Sequence, residues 1–183
     1  MSTTIRRLSG RSRKTLLAAH ILSSAAWFGI DLALGILVVT AMLTDVPQTA
    51  GIALQAVEIF AIWPMFGASI VCLATGALLG LGSKYGLVRY WWVAVKLGVN
   101  VLMSTLIVFA LRPGVGAAAD VGARLLAGDR TAVVPSDLLY PVVVAPTLLL
   151  VAYLLSVFKP WGRIRRQVRQ RQPVTMSEEL PVA

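Results

Sequence analysis

The first apolar stretch of the chain, residues 15–43, reads TLLAAHILSSAAWFGIDLALGILVVTAML. It is longer than the roughly 20 residues that a helix needs to cross the hydrocarbon core of a bilayer. No water is available there to satisfy backbone N–H and C=O groups, so a spanning segment of this kind must be helical. Further apolar stretches follow it, and together they predict an all-α fold, a four-helix transmembrane bundle.

The composition supports a membrane protein of one small domain. Hydrophobic residues make up 57% of the 183 residues and charged residues only 14%, against about a quarter charged in typical soluble domains. The net charge is +9, but the basic residues lie beside the apolar stretches, so they predict membrane topology and not a nucleic-acid partner. The single cysteine, Cys72, lies in an apolar stretch and is predicted to be a small buried residue.

The predicted membrane domain covers residues 15–158, between a basic N-terminal segment (1–14) and a basic, then polar, tail (159–183). The four spans are predicted at about 15–43, 60–82, 88–111 and 138–158. In the second tract, Trp63-Pro64 follows an interfacial start at residues 48–60, and Arg112-Pro113-Gly114 is predicted to stop the third helix. Pro146 predicts a kink in the fourth helix.

The distribution of Lys and Arg outside the spans predicts the orientation. One side of the predicted bundle carries thirteen such residues: Arg6, Arg7, Arg11, Arg13, Lys14, Lys84, Arg89, Lys159, Arg163, Arg165, Arg166, Arg169 and Arg171. The other side carries three: Arg112, Arg124 and Arg130. The positive-inside rule therefore predicts a multi-pass protein of the bacterial inner membrane, with both termini in the cytoplasm.

Ionisable side chains within a spanning helix are costly, so each is a candidate for function. His20, Trp27 and Asp31 are spaced i, i+7 and i+11, which places them on one face of the first helix. Lys96, Asn100 and Met103 are spaced i, i+4 and i+7 and share a stripe of the third helix. These six residues are the predicted polar site of the bundle, with Arg89 at its inner rim.

Depth in the membrane predicts which of these side chains meet. His20 lies six residues after Lys14, and Lys96 lies seven after Arg89, which places both about 9 to 11 Å from the cytoplasmic boundary. They are expected to form one site. Asp31 lies about 16 Å further along its helix than His20, so a direct ion pair with Lys96 is not expected and Asn100 is the nearer polar partner of Lys96.

Three short motifs carry a resemblance: His20-x6-Trp27-x-Gly29, Thr75-Gly76 and Trp92-x3-Lys96-Leu97. Over about residues 15–111 the chain resembles a set of four-helix membrane proteins. The set includes the copper-resistance D proteins, the haem-dependent protoporphyrinogen oxidases and uncharacterised bacterial integral membrane proteins, the last being the most similar. The resemblance implies that His20 ligates haem b and that Lys96 matches a required lysine. Asp31 stands where the oxidases have an arginine.

Three functions remain open at this point. The first is a haem-linked or redox-linked protein in which His20 is the metal ligand and Lys96 and Arg89 neutralise the haem propionates. Because His20 is the only histidine, the iron would be five-coordinate, take Met103 as its second ligand, or be shared across a dimer. The second is a non-catalytic subunit or assembly factor, with a second copy or another membrane protein as partner.

The third function is a small carrier of protons, cations or metal ions that uses Asp31. The chain has no nucleophile triad, phosphate-binding loop or zinc-ligand spacing, so it is not expected to act as an enzyme on its own.

Overall fold

The computed structural model describes residues 9–82 and 90–158, and these form helices and short connections. The α-helices are α1 (Gly10–Leu43), α2 (Pro47–Ala61), α3 (Trp63–Leu81), α4 (Trp91–Leu106), α5 (Arg112–Leu126) and α6 (Leu139–Phe158). A π-helical turn, Ile107–Leu111, joins α4 to α5, and a 3-10 turn, Ser136–Leu138, leads into α6. Helices α2 and α3 together form one apolar unit, and α4 and α5 form another. The described residues therefore contain four helical units that are long and apolar enough to cross a membrane.

Helix α1 begins five residues before the predicted first span. Ser9 caps it, because the Ser9 side chain accepts a hydrogen bond from the backbone N–H of Ser12 at 3.2 Å. At 1.5 Å per residue its 34 residues extend about 51 Å, well beyond the roughly 30 Å of a bilayer core. Part of α1 therefore projects out of the apolar layer.

The second apolar tract is broken at Ile62, next to the predicted division at Trp63-Pro64. Ile62 has φ −102° and ψ −80°, outside the helical region, and Pro64 lies in the first turn of α3. Proline has no N–H to donate, and the first turn of a helix is where that loss costs least. Trp63 is exposed at this break.

The third helix does not stop at Arg112-Pro113-Gly114, so that prediction was wrong. The chain passes through the π-helical turn and continues as α5 to Leu126. Pro113 cannot donate to the carbonyl four residues earlier, and a π turn just before it spaces the backbone differently, so that the helix continues instead of ending. The helix ends instead at Leu126, and Gly128 just after it has a φ of +94°, a left-handed conformation that suits glycine.

Helices α2 and α5 pack closely against each other. A Cβ at Gly51 would lie 2.9 Å from the carbonyl oxygen of Gly122, and a Cβ at Gly122 would lie 3.1 Å from that of Gly51. Gln55 adds a hydrogen bond from its side-chain nitrogen to the carbonyl of Ala119 at 2.7 Å. The two glycines thus allow a backbone contact that side chains would prevent.

Helices α1 and α6 are antiparallel neighbours. Gly35 faces Val142, and further along the pair the rings of Phe28 and Tyr153 meet edge to face at 5.9 Å. Gly10 and Phe158 therefore lie at one end of the bundle, the terminal end, and the α2–α5 pair lies towards the other, the distal end. Residues 83–89, which include Arg89 of the predicted inner rim, and the tail from 159 lie outside the described residues.

Candidate functional site

His20 links α1 to α3. Its Nδ1 lies 3.0 Å from the carbonyl oxygen of Cys72 and 3.1 Å from the hydroxyl oxygen of Thr75. The Thr75 hydroxyl in turn donates to the carbonyl of Val71 at 2.6 Å. The sequence motifs include His20 and Thr75 but do not predict the Cys72 carbonyl as a partner, because a backbone carbonyl on another helix leaves no mark in the sequence.

These contacts fix where the hydrogen of the imidazole lies. A carbonyl oxygen only accepts, and the Thr75 hydrogen is already directed to Val71, so Nδ1 of His20 is the donor to both. In the neutral ring Nε2 then carries the lone pair. Nε2 makes no hydrogen bond to the part of the chain that the structure describes, and the His20 side chain is only half-buried.

Gly76 gives the imidazole its place against α3. A Cβ at this position would lie 2.9 Å from Cε1 of His20 and 3.4 Å from Nδ1, closer than real contacts allow. The ring therefore occupies the space that a side chain at position 76 would take. The Thr75-Gly76 pair that contributed to the resemblance is thus in direct contact with the histidine.

A second set of polar contacts joins α3 to α4. The Ser104 hydroxyl donates to that of Ser69 at 3.0 Å and lies 3.4 Å from the side-chain oxygen of Asn100. Ser69 is fully buried, and Cys72 is buried as the sequence predicts. Pairing across helices satisfies the hydrogen bonds of these buried hydroxyls, which an apolar interior would otherwise leave unmade.

Lys96 reaches α6. Its Nζ donates to the hydroxyl of Ser156 at 2.8 Å and lies 4.8 Å from the centre of the Trp92 ring. Its ammonium group contacts α6, whereas the imidazole of His20 contacts α3. Asn100, the predicted partner of Lys96, instead contacts Ser104.

Met103 lies at a different depth from His20. It is buried in the core, next in sequence to Ser104, which contacts Ser69. Ser69 precedes Thr75, the partner of His20, by six residues, or about 9 Å along α3. Met103 is thus offset along the bundle from Thr75, and its role as a second ligand stays a prediction.

Trp27 and Asp31 face the interior of the bundle with His20, as their spacing predicts. Trp27 is 1% exposed and belongs to the hydrophobic core. Asp31 is 5% exposed, and its Oδ2 has no hydrogen-bond partner among the described residues. Asp31 is thus separate from the contacts around His20 and Lys96.

Among residues 9–82 and 90–158, no three His, Cys, Asp or Glu side chains come together as a metal-binding group. The chemistry that the described site offers is a single oriented imidazole, a lysine held at the edge of α6 and an isolated carboxylate. Cys72, Ser69, Ser104 and Ser156 are the contacts that sequence reasoning missed, since small polar residues in apolar helices are common.

Comparison with protein-family models, with curated proteins and with solved structures finds no match for this chain.

Proposed function

We propose that the chain is a haem-linked integral protein of the bacterial inner membrane, with both termini in the cytoplasm and Nε2 of His20 as an axial ligand. The supporting observation is the hydrogen bond from Nδ1 of His20 to the Cys72 carbonyl. Histidines that bind metals commonly donate their other ring N–H to a carbonyl or carboxylate, which orients the ring and makes the ligand nitrogen more basic. The same role for His20 follows from the resemblance.

The other predicted haem contacts differ in how well they fit. His20 fits a haem ligand through Nε2, and Met103 or a second copy of the chain would supply any second ligand. An ammonium group carries three N–H donors, so Lys96 can donate to Ser156 and also neutralise a propionate. Bound at this site, haem would supply one-electron redox chemistry, while the chain orients the imidazole and surrounds it with apolar side chains.

The test is the visible absorption spectrum of the full chain, produced with a supplement of the haem precursor 5-aminolevulinate and purified in detergent. We expect a Soret band that His20→Gly abolishes and that added imidazole restores, because free imidazole can replace the missing ligand. Ser24→Ala on the same helix is the matched control, since the Ser24 hydroxyl bonds only to the carbonyl of Ile21 on its own helix.

A wild-type protein that stays colourless after haem supplementation contradicts the proposal. So does a Soret band that is unchanged in His20→Gly. Imidazole rescue separates loss of the ligand from loss of the fold, because a protein that has unfolded does not regain the band.

The second candidate is a non-catalytic subunit or assembly factor. The hydrogen bonds from Lys96 to Ser156 and from Ser104 to Ser69 favour it, because with His20 they link α1, α3, α4 and α6 in one series. Interhelical hydrogen bonds of this kind contribute about 0.6 kcal/mol each on average and fix the helix register. For this function, Lys96→Met and His20→Ala lower the unfolding temperature and leave the spectrum and the cellular phenotype unchanged.

A further inference from the structure

Asp31 is the buried ionisable group that the proposed function leaves unused. The residue is 5% exposed, and its Oδ2 accepts no hydrogen bond from the part of the chain that the structure describes. An ionised carboxylate in apolar surroundings is unfavourable without a partner, so this group either holds a proton or pairs with a cation. A cation that reaches Asp31 therefore gains a partner that the chain itself does not occupy.

A groove leads to Asp31 between α1 and α6. It has a volume of about 340 Å³ and runs along one side of α1 from Asp31 to Thr40, with Val142 of α6 as its opposite wall. The nine helical steps from Asp31 to Thr40 span about 14 Å along the helix. Among the lining residues Asp31 is the only one that ionises, and it lies at one end of the groove.

The rest of the groove is apolar and uncovered. Ile36 is 69% exposed and Val39 is 41% exposed, and both line the groove. Gly35 keeps the groove narrow, because a Cβ there would lie 3.3 Å from Cγ1 of Val142, so the two helices meet in contact at its floor. The groove thus offers one carboxylate and a strip of hydrocarbon of about the length of a medium alkyl chain.

We propose that this groove binds a free single-chain primary alkylammonium, with the ammonium group at Asp31 and the alkyl chain along Ile36 and Val39. A primary ammonium at the end of the groove donates hydrogen bonds to the Asp31 carboxylate and neutralises its charge, and the alkyl chain packs along the exposed apolar strip. A chain of about ten carbon atoms fits, since C–C bonds of about 1.5 Å advance roughly 1.25 Å each along an extended chain.

Two other occupants suit the groove less well. A bare metal ion prefers several oxygen ligands, and here a single carboxylate is surrounded by aliphatic side chains. A membrane lipid keeps its headgroup at the surface, but Asp31 lies at the inner end of the groove and Thr40 towards the distal end. The charged end of the groove is therefore its inner end, whereas the charged end of a bilayer lipid lies at the membrane surface.

The experiment measures thermal unfolding of the full chain in phosphatidylcholine nanodiscs with decylammonium chloride as the probe. Decanol and decanoate are the matched ligands, because they have the same chain length without the positive charge. Asp31→Asn removes the charge at the site, and Asp45→Asn removes the same charge at an exposed position outside the groove.

We expect decylammonium to raise the unfolding temperature of the wild type and of Asp45→Asn. Asp31→Asn should need a concentration at least about tenfold higher for the same shift, which corresponds to a loss of about 1.4 kcal/mol of binding. Decanol and decanoate should give the same small shift in all three proteins, because they only partition into the lipid. Val39→Trp, which narrows the groove and leaves Asp31 intact, should weaken decylammonium binding and not the effect of decanol.

Equal binding of decylammonium to the wild type and Asp31→Asn overturns the proposal, as does a decanol shift in the wild type as large as that of decylammonium. Loss of the decylammonium shift in nanodiscs that contain phosphatidylethanolamine assigns the site to a lipid headgroup instead. A dimeric wild type that gives no decylammonium shift assigns the groove to a second copy. The comparison of the three ligands on the wild type stands even if Asp31→Asn fails to fold.

Discussion

His20 and Gly76 show how a glycine on one helix permits a polar contact from another. The imidazole lies in the space above Gly76, which allows its Nδ1 to reach the carbonyl of Cys72 one turn earlier on α3. In an apolar medium the hydrophobic effect does not drive helices together, so association depends on packing and on such hydrogen bonds. The orientation of the proposed ligand therefore depends on a residue that does not itself touch a cofactor.

Gly76→Ala should displace the imidazole, because its Cβ would lie 2.9 Å from Cε1 of His20. We expect a loss of about 1 to 3 kcal/mol in the free energy of unfolding, typical of overpacking, together with a weaker Soret band if haem binds. Gly67→Ala on the same helix meets no atom within 4 Å and should be neutral or slightly stabilising. Denaturant unfolding in detergent compares the two, and equal stability of both variants would contradict the prediction.

Asp129, in the loop after α5, is held by three donors. Its carboxylate accepts hydrogen bonds from the Thr131 hydroxyl at 2.6 Å, the Arg124 guanidinium at 2.7 Å and the Thr131 backbone N–H at 2.9 Å. These contacts, the Thr131 hydroxyl foremost, lower the pKa of Asp129 to about 2. Because the pKa of Asp129 is lower in the folded protein, its ionised carboxylate stabilises the loop at pH values above the pKa of an ordinary aspartate. This stabilisation is lost as the pH falls towards 2.

NMR titration of the Asp129 carboxyl group should therefore give a midpoint near pH 2, as the pKa of about 2 implies. Thr131→Val and Arg124→Gln should each raise the midpoint, because each removes a side-chain donor to the carboxylate. Asp120→Asn, a charge change on the exposed side of α5, is the control. A midpoint that Thr131→Val leaves unchanged would show that the hydroxyl is not the main cause.

At the scale of elements, the third apolar tract is longer than a span because the π-helical turn carries the helix past Pro113. The continuation, α5, bears Arg112, Asp120 and Arg124, which are all exposed and suit a polar environment. It packs on α2, and the two glycines at positions 51 and 122 set their separation. The distal end of the protein is thus a helix pair and not a set of loops.

Gly51→Leu should separate α2 from α5, because even a Cβ at this position would lie 2.7 Å from Leu126 and 2.9 Å from the Gly122 carbonyl oxygen. We expect trypsin to cleave at Arg124 at least several times faster, since a detached α5 frays, while the unfolding temperature of the membrane helices changes less. Gly114→Leu, which meets no atom within 4 Å, is the matched control. Equal cleavage rates in the two variants would show that the pair does not depend on this contact.

At the scale of the whole molecule, four antiparallel helical units place Gly10 and Phe158 at one end and the α2–α5 pair towards the other. Which end faces the cytoplasm depends on the Lys and Arg distribution, which is a property of the sequence. Reversing the orientation does not change how far His20 or Lys96 lies from the terminal end. The orientation decides only from which side of the membrane their site is reached.

Cysteine labelling in intact cells tests the orientation. In a Cys72→Ser background, Ser136→Cys at the distal end should react with a membrane-impermeant maleimide, whereas Ser12→Cys near the start of α1 should not. Both positions are exposed, so a difference in labelling reports sidedness and not burial. Labelling of Ser12→Cys from outside would place the termini outside the cytoplasm and contradict the positive-inside prediction.

The sequence by itself determined that the chain forms four apolar helical units, because hydropathy and length leave a membrane segment one backbone solution. It also determined that His20, Trp27 and Asp31 face inward, because their spacing places them on one side of a helix. The sequence predicted a helix end at Pro113, because proline lacks the backbone N–H that a helix needs. The prediction failed because a π turn compensates for the lost donor.

Only the tertiary structure decided which polar groups meet. Lys96 contacts Ser156 and Asn100 contacts Ser104, because packing angles and depth across helices determine these contacts. The Cys72 carbonyl and the groove at Asp31 likewise belong to no motif, since they arise from backbone and surfaces that distant segments bring together. Spacing along one helix fixes a face, but the partner of that face depends on how the helices pack.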